Sequence, residues 1–141
     1  MPFVSVTRLK VKSIKYLPAF LSANEASVKQ IKSCTGLIAG RELIDKGLTF
    51  WTLTMWNDAE SMLAFRNSSA HKLAMQKIAE WCNEASYIHW IQEEKILPEW
   101  KHVSEQLIKG GKITKVRNPS KNQENNTFPP IKWTRLERRL K

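Results

Sequence analysis

The chain has 141 residues, 42% of them hydrophobic, and 23 Lys and Arg against 13 Asp and Glu give it a formal net charge of +10. That length suits one core and is too short for two ordinary domains, and no run approaches the roughly 18 to 20 apolar residues of a membrane span. The start Met1-Pro2-Phe3-Val4-Ser5-Val6 lacks a basic region followed by an apolar stretch, which points to the cytoplasm, where Cys34 and Cys82 read as small apolar thiols without metal-ligand spacing.

Phe3 to Val11 alternates in strand fashion, with Phe3, Ser5, Thr7 and Leu9 on one face and Val4, Val6 and Arg8 on the other. From Leu17 to about Lys32, Leu17, Phe20, Leu21, Val28 and Ile31 recur at helical spacing, with Pro18 in the first turn. Thr35-Gly36 ends this helix. Leu37 to Ile44 forms a second strand, and Asp45-Lys46-Gly47 turns it into a third that runs through Phe50, Trp51, Leu53, Met55 and Trp56. Asp58 caps a short helix through Phe65, and Asn67-Ser68-Ser69 breaks it before a second helix over Ala70 to about Glu84. Ser86 to Gln92 reads as a fourth strand, with Tyr87, His89 and Ile91 facing one way and Ile88, Trp90 and Gln92 the other. Pro98 opens a last helix that Gly110-Gly111 closes, before a short strand-like stretch from Lys112 to Val116.

The order βαββαβ predicts a ferredoxin-like α+β domain over residues 1–117, with helices on one face of a four-stranded antiparallel sheet. Apolar residues on both faces of the strands call for a second cover, and a second copy of the chain is the simplest one. A homodimer with two sheets packed face to face as a barrel is therefore expected.

These residues carry a resemblance. Phe50-Trp51-Thr52-Leu53-Thr54-Met55-Trp56-Asn57-Asp58-Ala59-Glu60, followed by Phe65-Arg66-Asn67-Ser68-Ser69-Ala70-His71, resembles the strand-to-helix segment of the antibiotic-biosynthesis-monooxygenase-like, dimeric α+β barrel superfamily. Trp81-Cys82-Asn83-Glu84-Ala85-Ser86-Tyr87-Ile88-His89-Trp90, with Leu97-Pro98-Glu99-Trp100, is similar to its domain-of-unknown-function 3291-like branch. The resemblance implies a dimeric barrel but no single reaction, because the superfamily holds oxygenases, heme-handling proteins and members without an assigned reaction. Heme-degrading members use an Asn on the first strand, a Trp on the helix after the third strand and a His one helix later as iron ligand. Matching motif to motif puts Thr7, Phe65 and Met75 at those positions, and these residues lack the amide pair and the imidazole, which argues against heme breakdown.

His71, near a helix start, and His89, on the fourth strand beside Tyr87, are the candidate acids or bases near neutral pH. A histidine at a helix start also serves local hydrogen bonding, and two histidines do not make a mechanism. The histidines have no ligand-type spacing with Asp, Glu or Cys, so no metal is called for. Gly110-Gly111 precedes a strand instead of opening a phosphate-binding helix, and no nucleophile elbow or paired-carboxylate pattern appears. A cofactor-independent oxygenase, which needs few protein groups in an apolar cavity, fits this pattern and requires no cofactor. Trp51, Trp81 and Trp90 fall on core-type stripes. Trp56 ends its strand beside Thr52 and Thr54, where it could wall a pocket with Thr7, Phe65, Met75, Tyr87 and His71 around an apolar or aromatic small molecule.

From Lys109 to the C-terminus ten Lys and Arg stand against two Glu, so this segment carries +8 of the +10. Residues 118–141 read as a basic arm, loop-like at first and then Phe128-Pro129-Pro130-Ile131-Lys132-Trp133. Such an arm either binds nucleic acid or an anionic surface, or packs Phe128, Ile131 and Trp133 on its own dimer; the second is the preferred reading. Two function classes follow: a small-molecule enzyme or binder, and a non-catalytic dimeric module whose arm finds an acidic partner.

Overall fold

The computed structural model describes Met1 to Lys141, with the side chains of Ser69 and Ala70 outside the description. In chain order it has β1 (Phe3–Val11), α1 (Leu17–Ile31), β2 (Leu37–Asp45), β3 (Thr49–Trp56), α2 (Ala59–Arg66), α3 (Ser69–Trp81), β4 (Cys82–Ile91), α4 (Trp100–Gly110), β5 (Lys112–Ile113), α5 (Lys121–Glu124) and β6 (Leu136–Arg139). None of the helices is long and apolar enough to cross a membrane.

Local chemistry accounts for the boundaries. The β2–β3 turn takes φ of 73° at Gly47 and 58° at Leu48, so glycine removes strain from one of two left-handed positions. Asp58 caps α2 by accepting from the Ser61 amide and hydroxyl, each at 2.8 Å. Gly36 lets the α1–β2 connection meet α2, since a Cβ there would lie 2.4 Å from that of Ser61. The expected helix from Ala70 to Glu84 is corrected: α3 stops at Trp81 and Cys82 to Glu84 are strand. Cys82 pairs with Val11, and the Glu84 carboxylate accepts from Arg8 at 2.6 Å, contacts that depend on β1 and are invisible to helical periodicity.

The sheet is antiparallel in the order β5-β4-β1-β3-β2-β6. Its four central strands form the βαββαβ unit, but six strands replace the expected four, because β5 extends one edge and β6, from the C-terminal arm, extends the other. One face carries Phe3, Ser5, Thr7 and Leu9 and lies under α1, α2 and α3. The opposite face carries Val4, Val6, Trp51, Leu53 and Met55, all 0% exposed, and packs against Val103 and Leu107 of α4 together with Phe128 and Ile131. Helices therefore cover both faces, and α4 with the arm occupies the face on which a second sheet was expected.

The arm is built into the molecule. The Asp45 carboxylate accepts from the amides of Lys46, Lys132 and Trp133 and from the Trp51 indole. Ser104 accepts from the Ile131 amide, and the Trp133 indole donates to the Ile44 carbonyl. Arg138 bridges Glu25 at 2.6 Å and Glu42 at 2.7 Å. The expected loop after Pro119 contains the single turn α5, capped by Ser120, whose Gln123 side chain bonds to the backbone of Ala85 and Thr114.

Candidate functional site

Strand register makes the floor of the site. Tyr87, Thr7, Thr52 and Glu42 form one rung across β4, β1, β3 and β2, and His89, Ser5, Thr54 and Gly40 form the next. These rungs are polar. The flanking rung toward the far end of β1 brings Phe3 opposite Trp56, and the one on the other side brings Leu9 opposite Phe50. A band of hydroxyls and imidazole thus crosses an otherwise apolar sheet face, because period-two alternation sends Ser5, Thr7, Thr52 and Thr54 to the same side.

Above the floor lies a cavity of about 460 Å³, roofed by α1, α2 and α3 with Phe20, Val28, Ile31, Met62, Phe65 and Ile78 among its walls. It falls within the size range of small-molecule pockets. Trp56 is 1% exposed, and its indole donates to the Thr54 hydroxyl at 2.9 Å, which fixes the ring. Phe65 stacks on Trp56 at 5.6 Å between centroids and meets His71 at 4.5 Å. His89 sits 5.2 Å from Phe3 and 5.3 Å from Tyr87. Thr7, Trp56, Phe65, His71, Met75, Tyr87 and His89, the residues singled out in the sequence, come together around this one cavity. Met75 is partly turned to solvent, at 39% exposure.

Both histidines are electrically silent at neutral pH. Burial lowers His71 from 6.5 to about 4, with repulsion from the Arg66 guanidinium adding to it. His71 Nδ1 is buried with no hydrogen-bond partner among the described residues. His89 is lowered by burial, then by Arg66 and Lys112. The lining also includes Glu42, which accepts from Asn24 at 3.1 Å and from Arg138 at 2.7 Å.

Trp51 is a core residue as expected and Trp90, partly buried, packs against the same core, while Trp81 both packs edge-on to Phe20 and lines the cavity. His102 contributes only an edge contact to Trp90. Burial raises both thiols, Cys82 to about 12, so they stay protonated. Among the described residues no group of His, Cys, Asp and Glu is arranged to hold a metal ion.

Sequence reasoning missed Ser5, Glu42, Asn24, Arg66 and Leu140. Ser5 shares the alternation of Thr7 and was recoverable from it. Glu42 and Asn24 are brought together by the packing of α1 on β2, and Leu140 arrives with β6, for which no local pattern exists.

No family model matches the chain, and no curated protein does. Solved structures do. The Mycobacterium tuberculosis protein Rv0793 superposes with a TM-score of 0.60 at 9% identity, covering 67% of this chain and 97% of its own. A protein from Nitrosomonas europaea described as a candidate antibiotic biosynthesis monooxygenase gives 0.58 at 15% identity, with 64% and 89% covered. SnoaB, a cofactor-independent oxygenase from Streptomyces nogalater, gives 0.55 at 13% identity, with 70% and 98% covered. The fold is that of the antibiotic-biosynthesis-monooxygenase-like proteins.

Proposed function

We propose that this chain, folded like the antibiotic-biosynthesis-monooxygenase-like proteins, binds an apolar or aromatic small molecule between its inner sheet face and α1–α3 and oxidises it without a resident cofactor. The observation that carries this reading is the cavity itself: apolar and aromatic walls close over a band of hydroxyls, with an uncharged imidazole against the aromatic wall.

In this reading His71 accepts a proton from an acidic C–H of the bound molecule. An imidazole held near 4 is always available as acceptor but is a weak base, so the anion formed beside it has to stabilise the imidazolium. The electron-rich anion then reduces dioxygen and forms a carbon–oxygen bond, and the peroxide so made takes the proton back from His71 to become a hydroperoxide. Loss of water from the resulting hydroperoxide leaves a carbonyl, so one oxygen atom enters the product and the other leaves as water. Thr7, Thr52 and Tyr87 orient the substrate, and Trp56, Phe65 and Met75 exclude water.

Native mass spectrometry of the purified chain, with extraction and identification of any retained molecule, tests binding. Adding that molecule back in an oxygen electrode tests the reaction. Uptake by the wild type, a product with one oxygen more and two hydrogens fewer, and loss of both in His71→Phe are expected; binding without uptake reduces the protein to a binder.

The walls named here all come from one chain, and the expected homodimer is a separate proposal that sedimentation reads. The alternative, a module whose basic arm seeks an acidic partner, is less favoured because Arg138 and the backbone around Trp133 are already engaged within the chain.

A further inference from the structure

We infer that the ligand of this cavity is an amphipathic organic acid, an apolar body bearing a carboxylate drawn to the rim cations Arg66 and Lys115 where the cavity meets solvent. The inference rests on the small-molecule reading above and specifies the class of molecule.

The charged side chains and histidines of the lining are Glu42, Arg66, His71, His89 and Lys115, beside the Tyr87 phenol. Glu42 is accounted for by Arg138 at 2.7 Å and Asn24 at 3.1 Å. The histidines are uncharged at neutral pH. That leaves two cations. Arg66 and Lys115 are both solvent-exposed, and neither belongs to an ion pair among the described residues. They come from different parts of the fold: Arg66 is the last residue of α2, while Lys115 follows β5, where Thr114 donates to the Ala85 carbonyl. His89 lies within the field of Arg66 and of Lys112, which pairs with Tyr87, so the positive rim borders the imidazole and phenol end of the polar band.

A cavity with an apolar interior and unpaired cations at its rim binds a neutral molecule without using its charge, and repels a cation. An acid uses both parts. Its body fills the space beneath Phe20, Ile31 and Ile78, and its carboxylate accepts from a rim cation, the guanidinium fork or the ammonium, without leaving water entirely. The ordinary role for Arg66 is to meet the C-terminal dipole of α2, since it is the basic residue of that helix's last turn. That role predicts no preference among ligands, which makes the two accounts separable.

A matched pair of probes decides between them. 2-Naphthoate and 2-naphthamide have nearly the same shape and differ in charge, and each is titrated in competition with the neutral fluorophore N-phenyl-1-naphthylamine. The wild type is expected to prefer naphthoate by about tenfold, the usual scale of a charge-assisted hydrogen bond. Arg66→Gln with Lys115→Gln should abolish the preference while leaving the affinity for naphthamide and the fluorophore unchanged, which also reports an intact cavity. Arg66→Glu should reverse it. Equal binding of the two probes by the wild type, or a preference that survives both substitutions, overturns the carboxylate inference and leaves the cavity reading in place. Failure of all three aromatic probes to bind overturns both.

Discussion

At the scale of residues, His71 ties stability to pH. Its folded value of about 4 lies below the ordinary 6.5, so the unfolded chain takes up the proton first and stability falls as pH drops from 6.5 toward 4. The loss should be of order 2 kcal/mol after allowing for partial exposure. Denaturation midpoints measured across this window should fall in the wild type and fall less in His71→Phe, where the lowered His89 still contributes. Glu84 acts lower on the scale: burial opposes its ionisation, but hydrogen bonds from Arg8 and Ser120 and the Arg8 charge outweigh that and hold it below its ordinary 4.5. Its contribution is present above 4.5 and is lost as pH falls through the lowered value, so an acid limb should persist in the His71 variant. Glu84→Ala strands a buried guanidinium and should cost about 3 to 5 kcal/mol by chemical denaturation, whereas Arg8→Met with Glu84→Leu should recover most of it. Thr7 and Trp56 were legible in sequence because alternation assigns them a face. Glu84 was not, because its partner is 76 residues away and its own neighbours continue a helical pattern.

At the scale of elements, the longest-range organiser is the Asp45 carboxylate. It ends β2, at the turn into β3, and collects amides from Lys132 and Trp133 near the far end of the chain. Asp45→Ala leaves those amides and the Trp51 indole without their acceptor, and should lower stability by about 2 to 3 kcal/mol. In hydrogen exchange the amides of residues 131–140 should lose protection ahead of those in β1 and β3; unchanged protection there would show that the arm docks by its apolar side chains alone. The central elements were readable because each satisfies a local rule: Asp58 as cap, Asp-Lys-Gly as turn, strict alternation in β1. β6 was not, since Leu-Glu-Arg-Arg has no strand pattern of its own and becomes a strand only by pairing with β2.

For the whole molecule, the decisive feature is that both sheet faces are covered within one chain. The sequence correctly required a cover for Val4, Val6, Leu53 and Met55, but periodicity cannot say whether it comes from the same chain, and α4 with Phe128 and Ile131 supplies it here. Truncation after Val116 uncovers part of that face, so the shortened chain should self-associate more strongly than the full chain in light scattering. Identical masses per particle for the two would mean that the arm adds little to the cover. The same layering leaves the other face free to hold a cavity beneath α1–α3, on which the functional account depends. Titration of N-phenyl-1-naphthylamine into the wild type and into Ala74→Trp, a substitution that fills the space from α3, tests this most directly. Saturable fluorescence enhancement at one site per chain, lost in a variant that keeps the wild-type circular dichroism, is the predicted result; equal enhancement in both proteins, or none in either, would contradict it.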